Sequence, residues 1–430
     1  MKLVAAAFTL LATGTLAVAG CHTSDSQGPV GRAADASADA ATDGSHGGDA
    51  TGGTDGALHT GDGSPDDGGA ANDAVAPDAP ADSPPPPPLV GAGPIVISGE
   101  TDASVVGVHV TSTTGDCITV TGSSHVSIRG SDIGPCAGNG VVVTGSSSDV
   151  TIADSWIHPE HPTSGCCDTG DGVFVSGADT VTLQGNVIAW GEANLEATSV
   201  THLTVVGNFL LNPQNSGSRG QNVQVWGSSS DVDVEGNYAL SSTDPKWGMP
   251  EEQEDSINFG FTDGIVAKGN YVQGGHSPSG CGIIADEAAN GVQFLSNVLV
   301  DNGQCGIGIS DGTTQVIDSD QVIDSTPVDG GGNTGIYVWK QYAEPCGPVT
   351  ISNSTSSALK PDMTTESGYW NGGGCDPVTL TNDTWDQAAR AALTPVAQKL
   401  PPPLVPPKPL ACLAPSPFVT QVGFPPCASK

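Results

Sequence analysis

VTLQGN at 181–186, LTVVGN at 203–208 and VDVEGN at 232–237 are three copies of one phrase, and seven more copies lie on either side of them. Each reads apolar, any, apolar, any, a small turn residue, then Asn or another small polar residue. The others are VSIRGS (126–131), VTIADS (150–155), IVAKGN (265–270), VQFLSN (292–297), VIDSDQ (316–321), VTISNS (349–354) and VTLTND (378–383). The closing residues are Ser131, Ser155, Asn186, Asn208, Asn237, Asn270, Asn297, Gln321, Ser354 and Asp383, spaced 22 to 33 residues apart. Self-similarity at such a period marks a stack of supersecondary units. A second alternating run precedes the phrase in most units, as in DGVFVSG, NVQVWG, SINFG, CGIIAD, CGIGIS and GIYVW. Alternation at period two is the strand signal, and helical periodicity is absent. Two strands, a turn and a third short strand make one rung of a coil, with rungs about 4.8 Å apart by strand pairing. Asn suits the closing place because it tolerates left-handed backbone while its amide bonds its counterparts in a ladder. A β-sandwich would need turn signals about every 8–12 residues, and these turns are too irregular for that.

The arrangement resembles the right-handed parallel β-helix of the pectin-lyase-like superfamily, whose turn between second and third strands carries such a ladder. The expected fold is therefore all-β, a right-handed parallel β-helix solenoid of about ten rungs with an Asn/Ser ladder, over residues 89–386. The resemblance specifies fold far more than activity. For members that act on polysaccharides it implies a substrate laid along the first strand of each rung and walled by long loops. Polygalacturonase-type members carry Asn-Thr-Asp, Asp-Asp, Gly-His-Gly and Arg-Ile-Lys motifs. Here GDCITV (115–120) and GDGVFV (170–175) are a faint echo, and the His and Arg-Ile-Lys elements are missing, so those catalytic residues do not carry over.

Lys2 precedes the apolar run from Leu3 to Ala19, so residues 1–20 read as a signal peptide too short to span a bilayer. Val18-Ala19-Gly20-Cys21 resembles a bacterial lipobox. That implies a lipidated Cys21 and membrane attachment through an N-terminal lipid anchor. His22, rather than Asp, then implies a protein lipid-anchored at the bacterial cell envelope, at the outer membrane or cell surface. From the lipidated Cys, residues 21–88 form a disordered tether of Ala, Gly, Asp, Ser, Thr and Pro that lacks the apolar side chains to fold. Its 12 Asp against one Arg keep it extended. Residues 387–430 read as a Pro-rich cap or tail, entered by a short helix from Asp386 to Gln398.

The formal net charge is −35, and from residue 89 onward 35 acidic residues face 10 basic ones. Such a surface excludes nucleic acid, whose phosphates need basic patches. It would also repel a polyuronate unless a cation intervened. With Cys21 lipidated, ten cysteines remain, an even number that fits an oxidising compartment. Cys281 and Cys305 hold equivalent places in adjacent rungs, as do Cys346 and Cys375, and one strand spacing suits a disulfide. Those two bridges are expected, with Cys412 to Cys427 closing the tail; Cys117, Cys136, Cys166 and Cys167 leave their pairing open.

Alternation assigns the outward residues of the first strands as Thr119, Val142, Phe174, Glu196, Gln224, Asn258, Ile284, Gly308 and Tyr337, with Trp226, Asp286 and Trp339 two residues on. Long insertions follow the third strands, where binding loops belong. Phe174, Gln224, Trp226, Asn258, Tyr337 and Trp339 are candidate sugar contacts, joined by Arg219 from a bordering loop. The plain alternative is aromatics packed beneath those loops. Asp171, Glu196, Asp255 and Asp286 lie on or beside the face. Glu196 and Asp255, two rungs apart, should stand about 9–10 Å apart, near the upper end for an inverting acid and base. Candidate catalytic groups are thus Glu196, Asp255, Asp286 and His276. A lyase would instead need a cation and a base, roles for Arg219, Lys246 and His276. Glu254 and Asp255 are candidate Ca²⁺ ligands, though the calcium-hand spacing is absent.

The expected function is a cell-surface lipoprotein whose β-helix, acting as a monomer, binds and cleaves polysaccharide as a lyase or glycoside hydrolase. The alternative is a non-catalytic glycan-binding or structural surface β-helix.

Overall fold

The structure, a computed structural model, describes residues 89–159, 170–213, 220–241 and 253–397, with side chains to 394 in the last stretch. Its strands form three parallel sheets that the chain visits in turn, so each strand pairs with the one three elements further on. The first-strand sheet runs from Ile95–Ser98 to Tyr369–Gly373 in 11 strands, and the second-strand sheet from Ser104–Val106 to Val378–Thr381 in 11. The third-strand sheet runs from Val90–Ala92 to Thr384–Trp385 in 12. This is the parallel β-helix anticipated from the repeat.

The interior is filled by like stacking on like. Val173, Leu195, Val223, Ile257 and Ile283 form one inward column of the first-strand sheet, and Val175, Ala197, Val225, Phe259 and Ala285 form the next. All are buried. Each large aliphatic side chain so placed stabilises the coil by roughly 1.5–3 kcal/mol. Phe259 also meets Phe294 of the second-strand sheet, with ring centroids 6.2 Å apart.

The polar ladder is continuous. Asn186 donates its backbone N–H and its Nδ2 to Asn208 Oδ1 at 2.9 and 3.0 Å. The same double contact recurs from Asn208 to Asn237, from Asn237 to Asn270 and from Asn270 to Asn297. Ser131 and Ser155 lead into it, and Ser354 and Asp383 continue it. Two expectations need correcting. The left-handed residue is the one before the ladder residue, as at Gly185, Gly207, Gly236, Gly269 and Ser296 (φ 57° to 63°), so Asn is selected for its amide alone. The eighth member is Asp320, not Gln321: Asn297 donates to Asp320 Oδ1 at 2.6 and 2.9 Å. The slip has a cause in the sequence. Gln315 occupies the inward place that Val292 and Val349 hold in neighbouring rungs, so the apolar phrase starts one residue late.

A shorter ladder, not read from the sequence, precedes the first strands. Asn139 donates to Asp116 Oδ1, Asn194 Nδ2 to Asn222 Oδ1 (2.8 Å), and Asn222 Nδ2 to Ser256 Oγ (3.0 Å). Disulfides join Cys281 to Cys305 and Cys346 to Cys375, as expected, with Cα atoms 4.6 and 4.4 Å apart. A third joins Cys117 to Cys136. Cys166, Cys167, Cys412 and Cys427 lie outside the described residues, as do the signal peptide, the lipidation site Cys21, the tether and the tail beyond 397.

One helix, Asp386–Ala397, follows the last rung. It lies against the outer side of the third-strand sheet, where Leu393 packs with Val300 and Ile323. Arg390 holds it there through Glu366 (3.1 Å), Ser325 Oγ and the Asp324 carbonyl.

Candidate functional site

The register of the first-strand sheet sets Thr119, Val142, Phe174, Glu196, Gln224, Asn258, Ile284, Gly308, Tyr337 and Trp370 in one outward column. Trp226, Gly260, Asp286, Ser310 and Trp339 form the neighbouring outward column, read from the same ladder. Trp226 and Trp339 therefore flank Asp286, each about two strand spacings, or roughly 10 Å, away. Trp370, absent from the candidates above, extends the aromatic end: it meets Trp339 edge-on at 5.8 Å and lies 6.5 Å from Tyr337. Trp339 and Trp370 are 40% and 46% exposed, which leaves ring surface for a ligand.

Two glycines let these rings lean inward. A Cβ on Gly260 would come within 2.1 Å of the Trp226 ring, and one on Gly308 within 2.8 Å of the Tyr337 ring. Trp226 thus lies over the rung that follows it and meets Phe261 edge-on at 5.2 Å. Tyr337 lies back over the rung before it. Its hydroxyl is 2.8 Å from Ser310 Oγ and accepts from Gln341 Nε2 at 2.9 Å, beside Ile284 and the Cys281–Cys305 bridge. Tyr337 is therefore buried beneath its neighbours, the packing role foreseen as the alternative, while Phe174, Gln224 and Trp226 stay half-buried.

Between the two aromatic ends sits a carboxylate pair bridged by an amide. Asn258 Nδ2 donates to Asp255 Oδ2 at 2.9 Å and to Asp286 Oδ2 at 3.2 Å. Asp255 is 4% exposed and its Oδ1 accepts the Cys281 N–H at 2.7 Å. Burial first, then the charges of Asp286 and Glu254, push its carboxyl up to about 8. Asp286 is half-buried, and a hydrogen bond joins it to Tyr342. Near neutral pH this gives a protonated acid beside an acidic neighbour, the separation of roles that two-carboxylate chemistry uses.

The pairing differs from the one expected. Glu196 acts on Asp171, whose carboxyl is raised first by burial and next by that charge, and Asp171 spends Oδ1 on the Ala193 N–H at 3.0 Å. The carboxylates thus fall into two pairs, Asp171 with Glu196 and Asp255 with Asp286, because the loop before each first strand, rather than the strand alone, sets their reach. His276 is not brought to either pair. It stands before the strand Ser277–Ala285, whereas Asp286 follows it, and its Nε2 is 2.6 Å from Thr326 Oγ1. Arg219, Lys246, Glu251 and Glu252 lie outside the described residues. Among the described residues no group of three or more His, Cys, Asp and Glu is placed to hold a metal ion, and Asp255 has both oxygens engaged.

The chain belongs to the right-handed β-helix family. The family described as the right handed beta helix region matches residues 93–217 and 163–356, which together span more than half of the sequence. No curated protein matches it. Among solved structures, it is similar to the DFA-IIIase of Arthrobacter chlorophenolicus A6 in complex with GF2, at 17% identity over 63% of this chain and 58% of that one, TM-score 0.36. It is also similar to PfbA, a surface adhesin of Streptococcus pneumoniae, at 12% identity over 67% and 60%, TM-score 0.37. The mannuronan C-5 epimerase AlgE6 A-module of Azotobacter vinelandii matches at 10% identity over 69% and 79%, TM-score 0.42. The chain spans about three fifths of the length of the first two.

Proposed function

We propose that the protein binds a polysaccharide along the outward face of the first-strand sheet, between Trp226 and Trp339, and hydrolyses it with Asp255 and Asp286. The observation that carries this reading is the Asn258 amide joined to both carboxylates, of which Asp286 stands midway between half-buried Trp226 and exposed Trp339. Indole faces stack on sugar rings, and the polar groups between them meet hydroxyls. Asp255, held protonated, gives its proton to the glycosidic oxygen as that bond breaks and Asp286 bonds to the anomeric carbon; water, losing a proton to Asp255, then attacks the same carbon, frees Asp286 and restores both groups. Both Oδ2 atoms lie within reach of one nitrogen, which holds them closer than the roughly 6.5–9.5 Å of an inverting pair and favours retention. An acid and base of this kind need no uronate and no metal, so the hydrolase is favoured over the lyase.

A second reading, binding without cleavage, is supported by the depth of Asp255 and by the hydrogen bonds that occupy both its oxygens. One experiment separates the two. The purified domain is incubated with neutral and charged polysaccharides, and reducing ends, unsaturated products and retention on immobilised glycan are followed together. The hydrolase predicts reducing ends without unsaturated products, retained anomeric configuration by NMR, and a loss of at least about 100-fold in turnover for Asp286→Asn with the fold intact. A glycan that is retained yet never cleaved leaves the binding reading. Unsaturated products would point to elimination and overturn the hydrolase.

The same proposal places the domain on the bacterial cell envelope, tethered through Cys21, a reading supported by the apolar run and the Val18-Ala19-Gly20-Cys21 motif. Wild-type protein should partition into detergent and carry acyl mass, and Cys21→Ser should not. Soluble wild-type protein without acyl mass would reject the anchor.

A further inference from the structure

Two outer faces of the coil differ in kind. On the second-strand sheet an outward column reads Ser127, Thr151, Thr182 and Thr204, polar as a solvated face should be. On the third-strand sheet the outward column reads Trp156, Val187, Phe209, Tyr238, Tyr271 and Val298 over six successive rungs. Ile188, Leu210, Ala239 and Val272 already fill the core on the other side of the same strands. Phe209 stacks on Tyr238 with ring centroids 5.0 Å apart, and Tyr271 follows at 6.0 Å. These three rings and Val298 are half-buried. An apolar strip of this length on an outer face marks a surface that something covers.

The helix Asp386–Ala397 covers one end of the strip and points along the rest. Asp386 accepts the Gly368 N–H at 2.6 Å beside the last rung, Arg390 reaches back to the Asp324 carbonyl, and Leu393 packs on Val300 and Ile323 with Tyr271 at the edge of the same cluster. The helix axis therefore runs toward the N-terminal rungs. One more turn, about 6 Å, carries the chain from Leu393 to Ala397 and so to the level of the strand Tyr271–Gln273.

Residues 398–430 lie outside the described residues, and their sequence suits the strip that the helix aims at. From Leu400 to Leu410 it reads LPPPLVPPKPL. Proline there bars both a helix and a paired strand and leaves polyproline II, with about three residues per turn and about 3.1 Å per residue. Two of its three edges, Leu400-Pro403-Pro406-Pro409 and Pro401-Leu404-Pro407-Leu410, are wholly apolar, and the third carries Lys408. One turn, about 9.3 Å, spans close to two rungs, and the stretch reaches about 31 Å, more than the roughly 24 Å from Val298 to Trp156. Charge agrees as well. Residues 398–430 hold three Lys and no Asp or Glu, in a chain of formal charge −35.

We infer that residues 400–410 form a polyproline II strap laid along the outer face of the third-strand sheet, from Tyr271 toward Trp156, rather than a lid over the end of the coil. Proline and leucine pack on the aromatic rings, and a preformed helix of this kind loses little freedom on docking. The strap closes a face that would otherwise pair two copies of the coil.

Photocrosslinking of the full chain tests this. With a benzophenone analogue of phenylalanine in place of Tyr238, irradiation and peptide mapping should join position 238 to a peptide within residues 400–410. Leu404→Asp combined with Leu410→Asp should cut that product at least about tenfold while the melting temperature moves by only a few degrees, and tryptic cleavage after Lys399 should quicken to match. Leu404→Met should keep the product. Adducts confined to residues 160–169, 214–219 or 242–252 would overturn the strap, because one of those loops would then cover the strip. An adduct between two chains would overturn it in favour of a contact between copies. No adduct to the tail from position 238 or from position 271, or a product indifferent to the paired Asp substitutions, would also end the proposal.

Discussion

Asp320 shows how much one side chain can depend on its place in the stack. Each ladder Asn donates Nδ2 to a carbonyl in the preceding rungs, Asn270 to Val234 and Asn297 to Ala267. By register the carbonyl that awaits residue 320 is that of Phe294, next to Ala267 in the sheet. An ionised Asp has no hydrogen to give, and its Oδ2 is buried without a partner among the described residues. A protonated Asp mimics Asn. Burial accordingly pushes its carboxyl to about 7 from an ordinary 3.8, against the lowering effect of the Asn297 donors. The native state therefore holds this proton more tightly than the unfolded chain. Its stabilising effect is complete below about pH 4 and is lost as pH rises through about 7. Asp320→Asn should stabilise the protein at about pH 8 by a few kcal/mol and change little at about pH 4. Thermal melts of both forms across that range would show a constant difference if the carboxyl were exposed. Gly260 offers a second single-residue test. Gly260→Ala must displace the Trp226 ring, so it should weaken glycan retention as far as Trp226→Ala does, while the melting temperature moves by only a few degrees. Unimpaired retention would put the ligand elsewhere.

Most elements were legible because a β-helix repeats its reasons. Period-two alternation gave the first-strand register from Thr119 to Tyr337 without error, since a slip of one residue would turn Val, Leu and Ile outward in every rung. It failed where one polar residue stood in an apolar place, at Gln315. The carboxylate pairing was less legible, because Asp255 reaches Asn258 from the loop ahead of its strand and loop conformation leaves no periodic trace. The glycine at 260 carried a signal that could have been used: Gly in a strand-end position next to an outward Trp marks a close approach. The ladder makes its own prediction at this scale. Asn237 accepts from the backbone N–H and Nδ2 of Asn208 and donates to Asn270 Oδ1 and the Val205 carbonyl. Asn237→Leu should cost at least about 1–3 kcal/mol through these stranded groups, seen as a lower melting temperature. No change would mean that the buried ladder adds nothing to the coil.

Over the whole molecule, charge works against the fold. Besides Asp320, burial pushes Asp255 to about 8, Asp324 to about 7 and Asp311 to about 6. All four have folded values above the ordinary 3.8, so each binds its proton more tightly in the native state, and stability should fall between about pH 5 and pH 8. Repulsion within a chain of formal charge −35 acts in the same direction and is screened by salt. The domain should therefore melt higher in about 0.5 M salt than in about 0.05 M at neutral pH, and the gap should narrow toward pH 5. An opposite trend would require the buried carboxyls to be paired with cations.

The ladder also has a direction. Every Asn from 186 to 297 donates toward the C-terminal end, so each amide polarises the next and the series acts as one oriented wire of dipoles. Asp320 ends it, because it accepts from Asn297 and passes on only its backbone N–H, to Ser354 Oγ at 3.3 Å. In a one-dimensional lattice held by nearest-neighbour contacts, such a joint is where cooperativity divides. Above the titration of Asp320 the coil should loosen from that joint onward. Backbone amides in the rungs after residue 315 should then exchange with solvent sooner than those around 181–300, and lowering the pH should draw the two populations back together.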